Sequence, residues 1–253
     1  MGRWQVQLDD GDQTRIEFVE ATKWPDALEA GRIALGLDAE TLQRVYARVR
    51  PDGSIVVTDP QTARHLVLSP ASEDSPTPEP TTPFTDGPVA TEEVPDLGLR
   101  LAGAAGIEEA AHRALLTLQE VVDAESGSVL LRRRDRLEFV AVKGPVADRV
   151  RRYLLHTDAG IAGYVYSTGR ALVLHDVAGS EQHLHEMAKE LGYHPQALLA
   201  VPIKQPAQQP WGVLELLRQE GSFTAKDEAY ARAAAQEIAA WLAMSPEFES
   251  SPT

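Results

Sequence analysis

Apolar residues alternate with glutamines in WQVQL, where Trp4, Val6 and Leu8 share a face, and TRIEF repeats the alternation after DDGDQ. A period of two on both sides of a polar turn predicts a β-hairpin. In WPDALEAGRIALGL the period lengthens, so that Trp24, Leu28, Gly31 and Leu35 fall on one helical stripe, with Pro25 early and Gly36 at the end. Proline near the start and glycine past the end are the punctuation of a helix. RVYARVR and SIVVTD, joined by PDGS, predict a second hairpin, and DPQT turns the chain into a last strand, ARHLVL. The predicted order is therefore ββαβββ. A helix lying on one face of such a sheet makes a small α+β domain over residues 1–69. Its single histidine, His65, and its scattered acids form no catalytic grouping, so the expected role is contact with a protein partner.

The pattern then stops. Residues 65–99 carry seven acidic residues and no Lys or Arg, and seven prolines fall between Pro70 and Pro95. Proline removes backbone donors and like charges repel, so residues 70–97 read as an acidic, Pro-rich, disordered linker. Such a segment spans on the order of 27 Å as a flexible coil and roughly 80 Å as polyproline II. It is expected to separate two independently folding domains without fixing their geometry.

Helical periodicity resumes with Ile107, Ala111, Ala114, Leu118 and Val121 on one side and Glu108, Glu109, Arg113 and Glu120 on the other. GSVLLRR, RDR and LEFVAVKG predict a hairpin, and VADRVRRYLL a short helix with basic residues outward. After the glycine-containing HTDAGIAGYVYSTGR come a strand, ALVLHDV, a polar helix, EQHLHEMAKELG, and two strands, ALLAVPIK and WGVLELLRQ. A long helix closes the chain, with Thr224 and Asp227 at capping-box spacing. Residues 246–253 read as a disordered tail.

Composition removes several chemistries. There is no cysteine, which excludes disulfides, thiolate metal sites, thiol nucleophiles and thioether-bound cofactors. The net charge of -14 argues against nucleic acid as a partner, since that binding rests on neutralising phosphates. No run approaches the roughly 18 apolar residues of a membrane helix. The start, MGRWQVQLDDGDQ, has no basic region followed by an apolar stretch, and a cytoplasmic location is expected. The basic group RRRDR, with Arg149, Arg151 and Arg152, reads as a solvated turn able to attract an anionic partner.

The succession GSVLL, LEFVAVKG, GIAGYVYSTGRALVLHDV, ALLAVPI, WGVLELL and FTAKDEAYARAAAQEIA resembles a GAF domain, the small-molecule sensor module of signalling proteins. The resemblance spans residues 100–245, within a domain drawn at 98–245. It implies an antiparallel sheet flanked by helices, with the first and last helices on one face and a ligand pocket on the other. Gly160 and Gly163 lack the G-x-G-x-x-G spacing of a dinucleotide site and read as structural, with Gly169 as a helix stop. From the resemblance, Phe139, Ala141 and Tyr164 are expected to form an apolar pocket wall, and His175, Asp176, His183 and Tyr193 polar contacts at its mouth. His183 and His185 are one residue apart on a predicted helix and cannot easily share an ion, so no metal or cofactor is expected. Cyclic-nucleotide-binding members carry Asn-Lys before Phe-x-x-x-Asp-Glu. Here Phe223, Asp227 and Glu228 match the second part, while Arg218 and Gln219 replace the first. Bilin attachment and methionine sulfoxide reduction both need cysteine. The expected protein is a non-catalytic homodimeric sensor of an unidentified small molecule, paired through Tyr230, Ala234, Ile238 and Trp241. The rival reading is a scaffold with a collapsed pocket.

Overall fold

The computed structural model describes residues 1–10, 13–38, 41–42, 44–50, 54–59, 64–71, 94–151, 153–158, 160–175 and 192–245. The N-terminal elements follow the predicted order: β1 (Gly2–Asp9), β2 (Thr14–Ala21), α1 (Trp24–Ala34), β3 (Arg44–Val49), β4 (Ile55–Asp59) and β5 (Arg64–Pro70). The second half holds α2 (Leu97–Ala102), α3 (Ile107–Leu118), β6 (Ser126–Arg133), β7 (Arg136–Lys143), α4 (Ala147–Val150) and β8 (Leu154–His156). It continues through α5 (Gly160–Thr168), β9 (Ala171–His175), β10 (Ala197–Ile203), β11 (Gly212–Arg218) and a final helix, α6 (Ala225–Met244). Most of the expected linker, the predicted polar helix after β9 and the tail lie outside the described residues. The linker's expected end at residue 97 is too late. Val94 and Leu97 are 8 % and 1 % exposed, and their apolar side chains join the second core.

The expectation that the linker leaves the domain geometry open is also corrected. All eleven strands form one sheet, in the order β2-β1-β5-β4-β3-β9-β10-β11-β6-β7-β8. The join is a parallel ladder between β3 and β9, running from Arg44 opposite Ala171 to Arg48 opposite His175. Every other pairing in the sheet is antiparallel. The physical reason is that β3 and β9 each have one edge that no strand of their own half pairs, and buried backbone donors and acceptors need partners.

Helices cover the two faces of this sheet. On one face α1 and α5 close a core that runs from Leu8, Leu28 and Leu66 to Leu130, Leu172 and Val213. On the other, α2, α3 and α6 cover Val129, Val173, Leu199, Val201 and Leu214. The first and last helices of the second half thus share a face, as the resemblance implies. Helix α6 starts on a complete capping box: the Asp227 amide donates to Thr224 Oγ1 at 3.2 Å and the Thr224 amide donates to Asp227 Oδ2 at 2.8 Å.

If the shared sheet holds the halves together, cutting the chain at a protease site inserted between residues 72 and 93 leaves two fragments that co-elute in size-exclusion chromatography. They separate only in denaturant. Fragments that part in native buffer would count against the β3–β9 join.

Candidate functional site

The described residues among the seven expected to line a pocket do not form one site. Phe139 and Tyr164 lie in the core beneath α1 and α5, but Ala141 belongs to the core on the opposite face. A β-bulge causes this: Leu130 pairs with Phe139 and Val129 with Ala141, leaving Val140 as an extra residue. The inserted residue reverses the alternation, so positions two apart point to opposite faces. His175 is likewise on the α3/α6 face, where its ring stacks on Tyr46 with centroids 6.5 Å apart and planes 9° from parallel. Tyr193 is buried near Ser126, and burial raises the pKa of its hydroxyl. Asp176 and His183 lie outside the described residues.

Tyr164 meets the N-terminal domain rather than an open wall. Its ring lies 6.4 Å from that of Trp24 at the start of α1, and burial pushes its hydroxyl pKa up to about 12. Beside it Arg170, with a side chain only 6 % exposed, reaches Glu29 of α1 at 2.6 Å. Glu29 also takes Arg32 at 2.7 Å, and Arg32 Nη1 donates to the carbonyls of Leu37 and Asp38. Burial acts to raise the Glu29 pKa, but Arg32 and Arg170 outweigh it and hold the carboxyl below its usual range. A second link crosses the other face. The Tyr46 hydroxyl donates to Glu228 Oε2 at 2.9 Å, and Arg232 Nε donates to Glu228 Oε1 at 2.7 Å.

The glycines of GIAGYVYSTGR are structural, as read. A Cβ on Gly163 would stand 2.6 Å from the Asp158 carbonyl carbon, because the first turn of α5 folds directly over that backbone. Gly169, at φ +66°, ends the helix with its amide bonded to Val165. The half-matched cyclic-nucleotide motif is also occupied structurally. Phe223 is buried under Arg218, Asp227 caps α6 and Glu228 holds Tyr46.

The residue the sequence reading missed is Glu215. It stands in the middle of β11, opposite Ala200 of β10 and Ser128 of β6, on the face that α5 covers. Ser128 Oγ donates to Glu215 Oε2 at 3.3 Å. The side chain keeps some accessible surface there, and burial nonetheless pushes its pKa up to about 7, the Ser128 hydrogen bond acting the other way. An acid interrupting the apolar run GVLELLR was the available signal. A largely buried carboxyl, with no basic partner among the described residues, is costly when ionised, and it suits a ligand that brings a cationic or hydrogen-bond-donating group. Among the described residues, no group of three or more His, Asp or Glu could hold a metal ion.

An open sheet covered by helices on both faces defines an α+β architecture. The sequence profile of the GAF domain matches residues 106–242, and the chain belongs to that family of signalling domains. Solved structures agree on the fold. The GAF domain of a phosphoenolpyruvate-protein phosphotransferase from Coxiella burnetii aligns with a TM-score of 0.52 at 20 % identity, covering 59 % of this chain and 90 % of that one. The corresponding domain from Acinetobacter aligns with a TM-score of 0.51 at 14 % identity, again over 59 % and 90 %. No curated protein sequence matches the chain.

Glu215 makes a pH prediction with a definite sign. The unfolded carboxyl releases its proton near 4.5 and the folded one near 7, so the folded state binds the extra proton between those values. Stability contributed by the neutral form is therefore lost as pH rises from about 4.5 to 7 and stays level above. Urea denaturation at pH 5 and pH 8 should show wild type losing about 2.5 kcal/mol relative to Glu215→Gln, whose own titrations cancel the rest. Parallel pH profiles for the two proteins would contradict the placement.

Proposed function

We propose that this chain is a non-catalytic cytoplasmic sensor: a small molecule binds between α5 and the sheet beside Glu215, and the signal leaves through protein contacts. The observation that carries the reading is the Glu215 carboxyl, held with Ser128 on the α5-covered face while retaining accessible surface. Ligand pockets are mostly apolar with a few convergent polar groups, and Glu215 and Ser128 among Leu198, Ala200 and Val213 have that balance. The lack of cysteine supports a non-catalytic role by removing the thiol chemistry. The absence, among the described residues, of a helix long and apolar enough to cross a membrane fits the proposed location.

The route out runs through the domain junction. Helix α5, which would close over the ligand, touches α1 through Tyr164 on Trp24 and through Arg170 on Glu29. The N-terminal domain then offers a partner the edge strand β2, where Ile16 and Phe18 are 40 % and 50 % exposed. Homodimerisation through α6 draws on Tyr230 and Trp241, which are part-exposed. Ala234 and Ile238 are already buried within the chain. The scaffold reading keeps one observation in its favour, since Phe139 and Tyr164 are both buried and fill space on the pocket face.

A thermal-shift screen of amino acids, amines, nucleotides and organic acids separates the two readings. A sensor gives a hit that raises stability by about 2.7 kcal/mol at a hundred times its dissociation constant. That shift falls in Glu215→Gln. A broad screen with no stabiliser leaves the scaffold.

A further inference from the structure

A cationic feature lies at the far end of β10, away from Glu215. A groove of about 660 Å³ opens between the loop after β10 and the outer side of α6, with Lys204, Gln205, Arg232 and Gln236 as its polar lining and Pro206 and Ala240 as an apolar shelf. Lys204 makes no ion pair among the described residues. Burial lowers its pKa, and the like charge of Arg232 lowers it further. Arg232 is only partly neutralised. Glu228 takes its Nε at 2.7 Å, while Nη2 is buried without a hydrogen-bond partner among the described residues. Two cations facing one groove, one with an unspent buried donor, repel each other until an anion stands between them.

We propose that this groove is an effector site for a small organic anion, its phosphate or carboxylate head between Lys204 and Arg232 and its apolar body on Pro206 and Ala240. The two glutamine side chains supply further donors, and the volume suits a ligand of small-molecule size. The position gives the site a regulatory consequence. Arg232 holds Glu228, which holds Tyr46 of the N-terminal domain. Lys204 Nζ lies 3.0 Å from where a Cβ on Gly169 would be, at the end of α5 and next to Arg170, the partner of Glu29. An anion in the groove would thus meet Arg232, which holds one polar link between the domains, and Lys204, which lies beside Gly169, the residue before the Arg170 of the other.

Isothermal titration calorimetry of the full chain with phenyl phosphate, benzoate and inorganic phosphate tests this. Wild type is expected to bind phenyl phosphate or benzoate more tightly than inorganic phosphate, because only the organic anions use the apolar shelf. The tighter of the two identifies the head group. Affinity should fall about tenfold in Lys204→Gln, where one charge-assisted contact is lost, and return in Lys204→Arg. Gln236→Glu, at an exposed position, should weaken it as well, whereas Glu215→Gln should leave it unchanged, so this site stands or falls separately from the sensor pocket. No binding of either organic anion by wild type overturns the proposal. So does equal binding by folded Lys204→Gln.

Discussion

The ladder between β3 and β9 is the constraint on which the rest of the architecture depends. Without it the chain has two separate sheets, one ending at β3 and the other at β9. With it, Val45 and Ala47 join Leu172 and Leu174 in one core, and Tyr46 joins Ala171 and Val173 in the other. Parallel pairing is found where both faces are covered, and here α1 with α5 and α3 with α6 supply the covers. Burial of both faces makes the join more than a hydrogen-bonded edge: it merges two hydrophobic cores.

Two polar links then fix how the halves sit. Arg170 with Glu29 lies on one face and Tyr46 with Glu228 on the other. Burying charge is expensive, so such contacts add little net stability against an apolar alternative, but removing one partner leaves the other stranded. Their effect is to select one register of the domains. Since Arg170 follows α5 directly and Glu228 lies in α6, both links are anchored in the elements that surround the candidate sites.

The candidate site around Glu215 arises from the same geometry. Strand β11 is covered on both sides, and its one acid must face either α6 or α5; facing α5, it meets Ser128 and keeps accessible surface. A carboxyl whose pKa burial raises to about 7 is divided between its neutral and charged forms near physiological pH, so a small change in its surroundings changes its charge. The cationic groove at the end of β10 carries the opposite electrostatic character. The two features are separated along the sheet and differ in the ligand chemistry they invite.

The sequence by itself determined most of the described elements and the family, though not α2 or the strand β8, whose first residues read as the end of a helix. Period-two and helical patterns are local, and they sufficed for the ββαβββ order, the helix-flanked second sheet, the capping box of α6 and the structural glycines around α5. What the tertiary structure decided depends on contacts between distant segments. The strand ALVLH is apolar at nearly every position, so no alternation marks which face each side chain takes, and His175 went to the helix layer. One extra residue at Val140 sent Ala141 to the face opposite Phe139, and a bulge leaves no signature in a run as uniform as FVAV. The pairing of β3 with β9 leaves no mark in either strand, because backbone donors and acceptors are the same in every sequence and only folding brings the two edges together.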